Sequence, residues 1–146
     1  MQNIYIFVLS LFLGKSILLT PMPIDINGSF DIDAKNSLNV VSTRPYISID
    51  VTSMLLPQIK PGVDLLSFEK IFKAKFPENS IEASLFEKNG EITKLTNISF
   101  AQGNENNWLI LSKNGDIATN KKFVKVVVTS KVPLKDVLIK WTNYSL

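Results

Sequence analysis

The segment Gly103-Asn104-Glu105-Asn106-Asn107-Trp108 sets three side-chain amides and one carboxylate directly before an indole. A carbohydrate-binding loop offers such groups: hydrogen bonds for hydroxyls and an apolar ring on which a sugar can rest. Asn104, Glu105, Asn107 and Trp108 are therefore candidate ligand contacts. The competing expectation is structural. In a period-two pattern Trp108 shares its face with Ile110, and both would then pack in a core. Arg44, the only arginine, is a further candidate, because a guanidinium can clamp a carboxylate through two parallel hydrogen bonds. Its structural alternative is an ion pair with Asp50 or another acid.

Catalytic chemistry is narrowed by composition. The chain has neither histidine nor cysteine. That removes the usual general base, the usual zinc ligands, the thiolate nucleophile and any disulfide framework. Carboxylates remain (Asp25, Asp31, Asp33, Asp50, Glu82, Glu87 and Glu105), but nothing in their spacing sets two across a cleft. Gly14-Lys15-Ser16 ends like a phosphate-binding loop, yet Leu9 stands where the first glycine is required. Ser67 and Lys70 have the spacing of a serine–lysine pair on a helix, without the companion motifs of that chemistry. Asp31, Asp33 and Asn36 could begin a calcium loop, but Lys35, Asn36 and Ser42 occupy the later positions where a ligand, a glycine and a glutamate are needed. No metal and no cofactor is expected. The formal net charge is +3, and the Lys121-Lys122 and Lys125 cluster reads as a solvated strand edge and not as a nucleic-acid surface.

The N-terminus carries an address. Ile4 to Leu13 is uncharged with one polar residue, Ser10, and small residues at Gly14 and Ser16 suit cleavage after Ser16. Residues 1–16 thus read as a signal peptide. No basic residue precedes the run, and Lys15 is awkward for cleavage, so an N-terminal anchor is the first alternative and a buried element of the domain itself the second. As one helix, Ile4–Leu19 would be about 24 Å long, short of the roughly 30 Å hydrocarbon core. Residues 17–23, with Pro21 and Pro23, form a linker, and residues 24–146 form a single domain. Export without cysteine favours a bacterial periplasmic or secreted setting, with a membrane-tethered form if the leader is kept.

The elements that must position these residues are mostly strands. Ile24 to Ile32 around Asn27-Gly28-Ser29 suggests a hairpin or a bulged strand, and Leu38–Val41 a second short run. In Tyr46–Thr52, Ile47, Ile49 and Val51 face one way and Ser48 and Asp50 the other. One helix is expected at about 64–75, capped by Asp64, with Leu65, Phe68, Phe72 and Phe76 on one stripe and Pro77 as its stop. Asn89-Gly90 marks a hairpin turn between Ser80–Lys88 and Glu91–Phe100. Asn107–Ser112, Phe123–Thr129 and Val137–Thr142 complete the set, with Trp141 in the core and Pro133 in the last connection. The expected fold is mainly β: a two-sheet antiparallel sandwich, Ig-like or jelly-roll-like, with one short amphipathic helix. The functional expectation is an exported, non-enzymatic module that binds a glycan or small ligand. The alternatives are an envelope protein-interaction factor, such as an inhibitor or immunity-like partner, and a small carboxylate-dependent hydrolase.

Overall fold

Period-two alternation becomes extended chain wherever it occurs. The computed structural model describes residues 15–55, 65–103 and 106–143, and residues 1–14 of the leader, Asp64, Asn104 and Glu105 lie outside them. Among the described residues there are seven strands: β1 (Lys15–Leu18), β2 (Ile24–Asn39), β3 (Tyr46–Asp50), β4 (Ile81–Glu87), β5 (Ile92–Gly103), β6 (Asn106–Ser112) and β7 (Lys122–Asn143). Two helices, α1 (Thr52–Leu55) and α2 (Leu65–Lys75), fall between β3 and β4. Ile17 and Leu18, read from sequence as linker, belong to β1, and only Leu19–Pro23 carries no strand before β2.

The fold is mainly β, but the sheet is a barrel and not a two-sheet sandwich. Its order runs β7-β3-β6-β5-β4 and returns to β7. Closure depends on the length of β7. Sequence reading separates Phe123–Thr129 from Val137–Thr142 at Pro133, whereas the structure joins them in one strand of 22 residues. The first half pairs with β4, from Glu87↔Phe123 to Ile81↔Ser130. The second half pairs with β3, from Asp50↔Leu138 to Tyr46↔Thr142. Pro133 lies between those two pairings, so its missing N–H costs the barrel no ladder bond. On the opposite edge of β7, β2 shifts register between Ile26 and Gly28, and Gly28 supplies the positive φ of 94°. The bend is pinned at Asp136, where φ is 55°. Its N–H donates to Asp25 Oδ1 at 2.9 Å, and Ser53 Oγ donates to its carbonyl at 2.8 Å. β2 and then β1 cover the remaining edge of β7.

The barrel interior takes one face of each strand. Ile47 and Ile49 of β3, Ile81, Ala83 and Leu85 of β4, Leu109 and Leu111 of β6, and Val126, Val128, Ile139 and Trp141 of β7 are all buried. Because β7 folds back on itself, Phe123 near its start meets Trp141 near its end, edge-on with centroids 6.0 Å apart. The helix forms where the phenylalanine stripe places it. Phe68, Phe72 and Phe76 are buried, and Phe100 of β5 packs on Phe72 at 4.8 Å and on Phe68 at 5.2 Å. Lys73 and Lys75 sit in the last turn, where cations complement the helix dipole.

Asn97 joins helix to barrel. It is buried, its Nδ2 donates to the Pro77 carbonyl at 3.0 Å, and its Oδ1 accepts the Ile81 N–H at 2.9 Å. Asn97→Ala is expected to lower the unfolding free energy by about 1–3 kcal/mol, since it strands buried backbone groups. Urea unfolding with an unchanged m value checks this.

The Asn89-Gly90 turn forms as read, with Gly90 at φ 91°, and Asn89 Oδ1 accepts the Glu91 N–H. Lys121 spans this hairpin, 3.0 Å from Glu87 Oε2 and 3.6 Å from Glu91 Oε2. Lys125 pairs with Asp31 at 3.3 Å. Two lysines of the basic cluster are thus matched by acids. The hydrogen bond to Glu87 is the main reason that the Lys121 ammonium holds its proton above the ordinary lysine value of 10.5. The resulting stabilisation is complete at neutral pH and is lost as the pH climbs past 10.5 through the folded-state value. Lys121→Met should therefore melt below the wild type at pH 7, with the gap closing in strongly alkaline buffer.

Candidate functional site

The outer face of the barrel is built by the residues that alternate with the core. On β7, Ile139 and Trp141 point inward, so Lys140 and Thr142 point out. On β3, Tyr46 and Ser48 take the outer positions between and before Ile47 and Ile49. On β6, Leu109 and Leu111 are buried while Trp108 and Ile110 are half-buried on the outside. Trp108 is therefore not a core residue, although it does share a face with Ile110.

Register sets the neighbours. Ser48 lies opposite Lys140 on one side and Ile110 on the other, and Tyr46 lies opposite Thr142. Trp108 pairs with Asp50 and with Ala101, and Ser16 of β1 pairs with Thr142. Strands two apart in a sheet are separated by about 9.6 Å. A lysine stem and an indole can close that gap provided the residue between them is small. Ser48 is that residue. Lys140 Nζ reaches across it to lie over the Trp108 ring, 4.5 Å from the centroid. Ser48, which lines the same hollow, is buried despite facing out. The hydroxyls of Ser16 and Thr142 are 3.1 Å apart at the rim. Together Ser16, Tyr46, Ser48, Trp108, Lys140 and Thr142 line an open hollow of about 230 Å³.

Of the other sequence candidates, Asn107 and Arg44 do not line this hollow. Asn107 follows the alternation to the opposite face and is buried. Its N–H donates to Thr52 Oγ1 at 2.8 Å, and its carbonyl accepts the Val51 N–H at 2.9 Å. Its side-chain Oδ1 is buried without a hydrogen-bond partner among the described residues. Asn104 and Glu105 lie outside the described residues. Arg44 is exposed and pairs through Nε with Asp116 at 3.2 Å. It does not pair with Asp50, whose Oδ1 accepts hydrogen bonds from the N–H and hydroxyl of Thr52 at the start of α1. The Arg44 pair joins two loops that are also held by the Ile117 N–H on the Thr43 carbonyl, 2.8 Å.

Of the carboxylates weighed for catalysis, five have structural partners. Asp25 accepts from Asp136, Asp31 pairs with Lys125, and Asp50 caps α1. Glu82 pairs with Lys94 and Glu87 with Lys121. Lys140, Tyr46, Ser48, Ser16 and Thr142 were missed in the sequence. Alternation marks Ser48 as an outer residue, but only the strand order brings it between Lys140 and Trp108.

Two further hollows flank the barrel. One, of about 330 Å³, runs between α2 and β5 over Phe72, Phe76 and Phe100, with Glu69 and Lys73 paired at its rim, 2.7 Å. The other, of about 340 Å³, lies between β1 and β2 and is lined by Ile17, Leu18, Leu19, Ile32 and Leu38. Among the described residues no helix is long and apolar enough to cross a membrane. Compared with protein-family models, with curated proteins and with solved structures, the chain gives no significant match.

Proposed function

We propose that this chain is an exported, non-enzymatic binding module whose ligand, a carbohydrate or other small molecule, seats on the outer face around Trp108. One observation carries the reading: an indole stands half-buried outside the barrel and lines the same open hollow as Ser16, Tyr46, Ser48 and Thr142. An apolar ring with a few hydroxyls near it suits a sugar, which has both an apolar face and a polar rim. Asn104 and Glu105 connect Gly103 to Asn106, two residues before Trp108, and complete the proposed contact set. Export rests on the leader. Cleavage after Ser16 would remove Ser16 from the rim, whereas a retained anchor keeps it there and tethers the module to the membrane.

Binding of the full chain to an array of glycans tests this, with Trp108→Ala as the paired variant. Glycan binding lost with Trp108 supports the reading, and binding untouched by the substitution overturns it.

A second reading, a protein-interaction factor, is favoured by the β1–β2 edge. Both strands pair only with β7 among the described residues, and Ile17, Leu18 and Met22 are 40%, 47% and 65% exposed there. An extended segment of a partner could add to that edge. Leu18→Lys would then abolish the interaction while Trp108→Ala leaves it intact.

A further inference from the structure

We infer that the ligand of the Trp108 face is an acidic carbohydrate, one whose ring bears a carboxylate that Lys140 receives. The inference rests on the binding-module reading and adds the charge class of the ligand.

Two features of Lys140 point to it. The first is its lack of an acid. Lys73, Lys94, Lys121 and Lys125 each lie within 4 Å of a carboxylate; Lys140, in common with Lys70, Lys122 and Lys131, has no such partner among the described residues, but it lines the hollow that holds Trp108. Asp50, the acid on the neighbouring strand of the same face, directs its Oδ1 to Thr52. The ammonium is instead held over an uncharged ring.

The second feature is its position. Lys140 Nζ lies over the face of the indole on which a sugar would stack. A neutral sugar must displace that cation and lose the cation–π attraction. A sugar carrying a carboxylate recruits the same cation instead: the ammonium swings from ring to carboxylate, and the vacated indole takes the sugar ring. The charge-assisted hydrogen bond so formed is stronger than a neutral one. The side chains of Ser16 and Tyr46 line the same hollow. Displacement thus penalises neutral glycans and favours acidic ones at a single residue.

The test is an array of matched pairs, uronic-acid and sialylated glycans beside their methyl-esterified or neutral counterparts, read with the full chain at low salt. The wild type should bind the acidic member of a pair at least tenfold more tightly, and the preference should shrink as salt is added. Lys140→Gln should lose at least tenfold on acidic glycans and bind both members alike, with Lys140→Arg restoring the preference. Lys140→Gln should melt no more than about 2–4 °C below the wild type, the shift that loss of the cation–π contact allows. Equal binding of both members by the wild type, still lost in Trp108→Ala, overturns the inference and leaves the binding-module reading standing. No glycan bound, or binding indifferent to Trp108→Ala, overturns both.

Discussion

Trp141→Ala should lower the unfolding free energy by about 3–5 kcal/mol, the range for emptying a buried aromatic site. Trp141 is 1% exposed and lies where the two ends of β7 meet, edge-on to Phe123. On its own strand it is flanked by Ile139, and Ile47 of β3 and Ile17 of β1 stand opposite it in register. These neighbours belong to three different strands, so the cavity cannot collapse without moving the closure of the barrel. A loss of that size corresponds to a fall in melting temperature of roughly 10–20 °C for a domain of this length. Trp141→Phe, which keeps an aromatic ring in place, should recover much of the loss. Calorimetry or urea unfolding of the three proteins measures both effects.

Trp108→Ala should do the reverse: little to the fold and much to binding. The indole is only half-buried, outside the barrel, and the Lys140 ammonium lies over its face. Removing it forfeits a cation–π contact of about 0.5–1 kcal/mol and some buried apolar area, so stability should fall by about 1–2 kcal/mol. Affinity should fall by about 2 kcal/mol or more, as expected when a central aromatic contact is truncated. That is roughly thirtyfold in Kd. The two tryptophans thus separate stability from function. Similar losses of stability at both positions, with binding unaffected, would mean that Trp108 serves only to cover the barrel.

Local features of the fold could be read from the chain. The alternation of Ile47, Ile49 and Val51 against Ser48 and Asp50 places β3 and its faces correctly, because one face must be dry. The stripe of Phe68, Phe72 and Phe76 identifies α2, and Asn89-Gly90 identifies its turn, because both depend on residues close in sequence. Closure could not be read in the same way. Pro133 looks like an interruption, and only the register shows that it falls where β7 passes from β4 to β3 and needs no donor. That single strand turns two expected sheets into one barrel. The candidate face follows the same division. Trp108 was visible as a residue type, but Lys140 and Ser48 become its neighbours only through the order β7-β3-β6. Arg44 pairs with Asp116 and not Asp50 because the loops that carry Arg44 and Asp116 meet, joined by the Ile117 N–H on the Thr43 carbonyl, a long-range contact that spacing alone does not announce.

The chain has two tryptophans, one inside the barrel and one outside, and each gives its own indole N–H resonance. Titrating the nitrogen-labelled full chain with the tightest-binding member of the glycan panel separates them directly. A ligand seated on the outer face moves the Trp108 resonance progressively to saturation, together with the amides of Ser48 and Lys140, while the Trp141 resonance stays in place. Saturation with the Trp108 resonance unmoved, and the shifts gathered instead on β1 and β2, would contradict the site.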